Sequence, residues 1–305
     1  MGIAVVDAHA HFMTYNTVKA WLSRGDTLDR LERRARTRTD MEDFELPHEE
    51  QGTGQLWADE MDRYGVSAMG FMVGQESWHE FLDARRRFPG RFMGYANVNP
   101  ADEGAVELVR RAGEDGFQGI KLYPSSWADI HAYDDVCYPV YGEAQRQGLL
   151  VILHFGITIG TRANLLHGNP LDIQRPAQEF PDIDFMIAHF GAGFFRELLL
   201  LQYQADNVYM DSSGSNSWMR YLPYDLDLKK IFEKAITAGG PEKVIFGTDS
   251  TFFPRGFRLN ILEEQHHAVK SLCSQSSPCL TEDEVDLIFH ENILRLTGFE
   301  PRSYE

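Results

Sequence analysis

The stretch Tyr138–Gly156, YPVYGEAQRQGLLVILHFG, carries the repeating unit of this chain. Tyr138–Gln147 has helical periodicity, Gly148 ends the helix, and the apolar run Leu149–Phe155 reads as a strand that carries His154 near its carboxyl end. The same reading applied outward gives eight candidate strands: Val5–Phe12, Ala68–Val73, Phe92–Val98, Gly119–Tyr123, Leu149–Phe155, Asp184–His189, Val208–Asp211 and Val244–Thr248. Helical periodicity fills most intervals, as at Glu76–Phe88, Ala101–Glu114, Phe194–Gln204 and Leu228–Ala238. Strand, helix, strand at this cadence makes a parallel sheet.

Eight such units in 305 residues predict an α/β chain folded as a closed (β/α)8 TIM barrel. A Gly-x-Gly-x-x-Gly after the first strand would argue for a dinucleotide-binding sheet, and none is present. One domain over residues 1–305 is expected. Two segments break the cadence: a long insertion at 13–55, with an arginine-rich charged helix, and the loop 157–175. Both leave carboxyl ends of strands, where barrel enzymes place binding loops, so both are candidate lids. Residues 280–305 read as a C-terminal helical segment.

Hydrophobic residues at 43% and charged residues at 25% are ordinary for a globular chain, and enough to build a large core. A net charge of −17 argues against nucleic acid as a partner, because neutralising phosphates needs a basic surface. The sequence has neither an 18-residue apolar run nor a signal peptide pattern, so a cytoplasmic protein with no membrane partner is expected. The three cysteines, Cys137, Cys273 and Cys279, are too few and too odd for a disulfide framework.

The chemistry lies at the strand ends. The first strand closes on His9-Ala10-His11, and alternate residues of a strand share a face. That pair alone is a weak signal. The fifth strand ends at His154, the sixth at His189 and the eighth at Asp249, so four imidazoles and a carboxylate converge on one barrel mouth. That set suits Zn²⁺ or a similar divalent ion. Lys121 shares a face of the fourth strand with Gly119 and Tyr123, and would point toward the ion if that face lines the barrel.

These motifs resemble the amidohydrolase superfamily, in the amidohydrolase-related branch of hydrolases and non-oxidative decarboxylases. The likeness runs from VDAHAH (6–11) through GIKLYP (119–124), LHFG (153–156), AHFGAG (188–193) and FGTD (246–249) to NILRLTG (292–298). It implies His9, His11, His154 and Asp249 as metal ligands, with His189 either catalytic or a ligand to a second ion. Lys121 would be catalytic as a carboxylated bridge between two ions; otherwise it is a charged lysine that pairs with Asp249 or binds a substrate carboxylate. One ion is favoured.

The expected function is hydrolysis of an ester, lactone or amide of a small, anionic substrate by a metal-activated water, with Asp249 moving the proton and His189 steadying the oxyanion. Non-oxidative decarboxylation of a cyclic or aromatic acid is the alternative, and hydration of a double bond a third. A non-catalytic scaffold would have lost a ligand, and none is missing. Arg162 or Arg255 could meet a substrate carboxylate, and Trp127, Trp218 and Tyr221 could line the mouth. A homo-oligomer is compatible with the sequence.

Overall fold

The computed structural model describes residues 4–36, 45–126, 130–158, 163–274 and 277–302. Eight strands, β1 (Val5–His11), β2 (Val66–Val73), β3 (Phe92–Asn97), β4 (Gly119–Leu122), β5 (Leu150–Leu153), β6 (Phe185–Ile187), β7 (Val208–Asp211) and β8 (Val244–Ile245), pair in parallel in sequence order. The ring closes where β1 meets the chain after β8. Ala8 N donates to Phe246 O at 3.0 Å, Asp249 N to His9 O at 2.8 Å and His11 N to Ser250 O at 2.8 Å. The expected TIM barrel is therefore the fold.

Helices lie between the strands and outside them. They include α1 (Tyr15–Ser23) and α2 (Leu28–Arg36) after β1, α3 (Thr53–Tyr64) before β2, and α4 (Trp78–Arg87) after it. Then follow α5 (Ala105–Glu114), α6 (Tyr138–Gln147), α7 (Gln174–Glu179), α8 (Phe195–Gln204), α9 (Leu228–Gly239) and α10 (Leu259–Lys270). Alternation along each strand sorts the core into two layers. Phe71, Ile120, Leu122, Val151, Leu153 and Met210 face outward to the helices, whereas Met93, Tyr95, Ile152, Met186, Tyr209 and Ile245 fill the barrel. Ile293, from the C-terminal helix α11 (Asn292–Thr297), joins the inner set. Among the described residues no helix is long and apolar enough to cross a membrane.

Two local departures place the site. On β1, Asp7 pairs with Met69 but Ala10 with Phe71, so β1 uses one residue more than β2 over this step. The bulge switches which parity faces inward. Val6 and Ala8 pack in the inner cluster, while Ala10 and Phe12 pack in the outer one, leaving His9 and His11 on the inner side. At the other end of the sheet, β6 stops at Ile187 and β8 at Ile245, short of the expected His189 and Thr248. The chain leaves the ladder there because His189 and Asp249 take left-handed backbone angles, φ 56° and 57°.

The expected helix from residue 101 starts at Ala105, since Asn99 first forms a turn with Ala101 and Asp102. Tyr95, a bulky inward side chain, needs room that only glycine leaves. A Cβ on Gly70 would stand 2.5 Å from its ring, and one on Gly119 2.5 Å from Leu150 O and 3.1 Å from the ring. Gly119→Ala is expected to lower unfolding stability by about 1–3 kcal/mol in urea denaturation; an unchanged midpoint would contradict this packing.

Candidate active site

The carboxyl ends of β1, β5, β6, β7 and β8 meet at the barrel mouth. His9, His189 and Asp249 form the tightest group there, with one ligand atom from each lying within 4.8 Å of the others. His154 joins through Nδ1, 3.1 Å from His189 Nε2, and His11 through Nε2, 3.0 Å from Asp249 Oδ1. All five strand-end residues singled out in the sequence thus fall in one cluster, with His11 and His154 at its edges. The left-handed backbone at His189 and Asp249 is costly for residues with a Cβ, and such strain concentrates at functional sites. Gly247 allows the chain after β8 to press close, since a Cβ there would lie 2.9 Å from His9 Cβ and 3.0 Å from Ser213 Cβ.

Two residues outside that reading organise the cluster. Asp211, the last residue of β7, accepts from His9 Nδ1 at 2.8 Å, from the His189 and Ser213 backbone N–H groups at 3.0 and 2.9 Å, and from the Ser213 hydroxyl. Ser213 Oγ in turn lies 2.7 Å from His189 Nδ1, and the Ser213 carbonyl 3.1 Å from it. The signal for Asp211 was in the sequence, an acid closing an apolar strand as Asp249 nearly does. Ser213 has no such signal.

Proton positions follow from these acceptors. An ionised carboxylate only accepts, so His9 carries its proton on Nδ1. Ser213 spends its hydroxyl proton on Asp211, so His189 also holds its proton on Nδ1. His154 Nε2 faces the Ile157 carbonyl at 3.2 Å, which puts the His154 proton on Nε2. Three lone pairs remain for the mouth: His9 Nε2, His189 Nε2 and His154 Nδ1. The last two face each other, an arrangement that repels unless a cation or proton lies between them. Two nitrogens on one tetrahedral Zn²⁺ stand about 3.3 Å apart. His9 Nε2 is buried and has no hydrogen-bond partner among the described residues. The donor set therefore fits a divalent ion.

Electrostatics agree. Burial lowers His9 to about 3, helped by the nearby Lys121 charge and opposed by Asp211. Burial also pulls His154 well below, and His189 below, the usual imidazole value. Neutral imidazoles are the ligand form. Burial pushes Asp211 upward, but the attraction and hydrogen bond of His9, with His189 and Lys121, outweigh it and hold the carboxyl well below its usual range. Lys121 faces inward and is fully buried; its Nζ makes no hydrogen bond among the described residues but lies 5.3 Å from the Tyr123 ring centre, and burial lowers it to about 8 against the pull of Asp211 and Asp249.

Other expected positions divide. Arg162 and Trp127 lie outside the described residues. Trp218 does not line the mouth: it is 3% exposed, packs 5.9 Å from Phe195 and donates to Asn216, because the loop after β7 turns inward beneath it. Tyr221 is exposed. From the insertion, Met13, Trp21 and Leu46 pack on Phe252, so part of it rests against the loop after β8.

A barrel with this ring of imidazoles and carboxylates at its carboxyl end is an enzyme of the kind whose site could hold a divalent metal. The amidohydrolase family model matches residues 6–299, and the chain belongs to that family. No curated protein matches the sequence. Its fold is similar to 5-carboxyvanillate decarboxylase from Sphingomonas paucimobilis, at TM-score 0.65 and 15% identity over 98% of this chain and 100% of that one. It is also similar to a candidate 2-pyrone-4,6-dicarboxylic acid hydrolase from Acinetobacter baumannii, at TM-score 0.61 and 15% identity over 97% and 100%. An uncharacterised TIM-barrel protein from Bordetella bronchiseptica gives 0.67 and 18% over 98% and 99%.

Asp211→Asn tests the proton placement without a metal. The new amide can keep its oxygen toward Ser213 and the His189 N–H while its NH₂ faces His9 Nδ1. Nitrogen-15 NMR of metal-free protein should show His9 moving its proton from Nδ1 to Nε2; an unchanged tautomer would refute the assignment.

Proposed function

We propose that this enzyme is a metal-dependent hydrolase that opens an ester, lactone or amide bond in a small, carboxylate-bearing substrate. The observation that carries this reading is the convergence of three imidazole lone pairs, each oriented from outside the site, beside the Asp249 carboxylate. His9, His189 and Asp249, with His154 and His11 at the edges, would hold one divalent ion, and Zn²⁺ suits nitrogen and oxygen donors of this kind best. Bound there, such an ion would acidify a water toward neutrality and polarise the scissile carbonyl.

The chain's own groups supply the rest. Asp249 takes the proton of the attacking water and returns it to the leaving group. Its carboxylate is held in place by His11 Nε2 at 3.0 Å. With its proton on Nδ1, His189 presents an acceptor to the mouth, so it serves as a ligand or base and not as the expected oxyanion donor. Lys121 is the cation nearest the cluster available to meet developing or resident negative charge. Met13, Trp21 and Leu46 of the insertion, packed on Phe252, would let its described part act as a lid beside β1 and the loop after β8. Three free thiols support a reducing, cytoplasmic setting.

Non-oxidative decarboxylation is the second reading, favoured by the same buried Lys121 ammonium, which could grip a carboxylate while Asp249 protonates the carbon that loses carbon dioxide. A lactone and ester panel beside a carbon dioxide release assay on aryl carboxylates separates the two.

In the active assay, Asp249→Asn is expected to lower kcat by about a hundred- to ten-thousand-fold. His9→Ala should lose activity together with bound metal, read by elemental analysis. Turnover that survives complete chelation would overturn the metal-dependent reading.

A further inference from the structure

A second concave site lies far from the histidine cluster. It is a cavity of about 510 Å³ with Phe88, Phe92 and Phe299 as aromatic walls, and Arg85, Arg86, Glu114 and Asp115 as its charged groups. Phe88 precedes β3, Phe92 begins it, and Glu114 and Asp115 precede β4, so the cavity sits at the amino ends of these strands. The histidines occupy the carboxyl ends. A space of this size is within the range of small-molecule sites.

Three of the four charges are matched. Arg86 pairs with Asp83 and Glu114 with Arg110. Asp115 accepts from Trp78 Nε1 at 2.7 Å and lies 3.4 Å from Arg111 Nε. Arg85 differs. Among the described residues it makes no ion pair, and its hydrogen bonding is limited to Nη1 donating to the Asp115 carbonyl at 3.2 Å. Its guanidinium carbon also lies 6.0 Å from the Phe81 ring centre. The carbonyl bond holds the residue that ends α5, a structural task that one N–H performs. Four of the five donors of the guanidinium remain. Scarcity does not explain this, since acidic residues outnumber basic ones by 46 to 29. Arg85 is half-buried, and burial lowers its pKa against the attraction of Asp115. A cation drawn out of water without a counter-charge is costly, and an anion relieves the cost.

We propose that this cavity is a second ligand site, separate from the barrel mouth, for a small aryl carboxylate. The carboxylate accepts from the fork of Arg85 in parallel N–H···O bonds, the geometry that suits a guanidinium best. The ring lies against Phe88 and Phe299 and removes apolar surface from water. Inorganic phosphate would gain the first contact only. An aryl amine would meet Glu114 and Asp115, which are already paired. The site is independent of the reaction at the mouth.

The probe is 4-bromobenzoate, compared with acetate and 4-bromobenzylamine. In crystals of the whole chain, anomalous scattering should place bromine among the three phenylalanines, with the carboxylate on Arg85. Calorimetry on wild type should show an Arg85-dependent component that favours 4-bromobenzoate over acetate at least tenfold. Arg85→Met should weaken that component at least tenfold; Arg85→Lys, which keeps the charge without the fork, should weaken it severalfold and carries the test if the methionine variant does not fold. Phe299→Ala should weaken 4-bromobenzoate at least threefold and leave acetate unchanged. Binding at the mouth does not respond to Arg85, so the two sites are read apart.

Bromine confined to the mouth, affinities that ignore both Arg85 substitutions, or preference for the amine would overturn the site. Bromine in the cavity without an Arg85-dependent component in solution is binding at crystal concentration only, and overturns it equally.

Discussion

The site depends on one buried carboxylate. Asp211 is fully enclosed, and a lone charge there would be too costly to keep. It stays ionised because four donors converge on it: a ring nitrogen from β1, a backbone N–H beyond β6, and the N–H and hydroxyl of Ser213 beyond β7. Each donor thereby loses its freedom. His9 cannot rotate away or change tautomer without removing the one donor to Asp211 Oδ2, and Ser213 must turn its hydroxyl inward, which orients His189. The proton pattern of the metal-facing side is thus set from the side facing away from it, as outer partners of ligating histidines generally do.

A second carboxylate performs a related task at the barrel seam. Asp7 accepts from His9 N and Thr248 N, each at 3.0 Å, and from the Thr248 hydroxyl. These bonds join β1 to the chain after β8 where the regular ladder has ended. Burial pushes Asp7 up to about 7 in spite of these donors, so it is the less firmly ionised of the two. The bulge on β1, the close approach at Gly247 and the left-handed angles of His189 and Asp249 belong to the same economy of space. Regular strands would send these side chains alternately in and out; the irregular ends bring them to one point.

Much of this was legible in the sequence because burial leaves a simple trace. Apolar runs separated by helical periodicity gave the barrel, and Tyr138–Gln147 and Val208–Asp211 fold over those very bounds. Histidines closing apolar strands were visible for the same reason, since a strand end in a parallel barrel is a place where polar groups meet. Asp211 carries no distinct local signal, because an acid before Ser212-Ser213-Gly214 also reads as the start of a solvated turn. Only the long-range pairing with His9 distinguishes the two. Trp218 misled for the opposite reason: a loop tryptophan suggests an exposed wall, yet an Asn216 in left-handed conformation folds it into the core. Tautomers and the β1 parity switch arise from contacts between distant residues, so no local pattern carries them.

The distribution of satisfied and unsatisfied groups separates what the scaffold fixes from what a ligand must complete. Asp211, Ser213 and Asp7 find their partners within the protein, and they set geometry. Among the described residues His9 Nε2 and Lys121 Nζ make no hydrogen bond, and both lie on inner faces at the carboxyl end. Sequence identities of 14–18% to solved barrels carry the fold from one protein to the next, and they are compatible with both hydrolases and decarboxylases among the neighbours. Substrate choice has to come from residues that the shared fold does not oblige. The loops beyond the strands and the inner positions at the carboxyl end are where such residues can differ without disturbing the barrel.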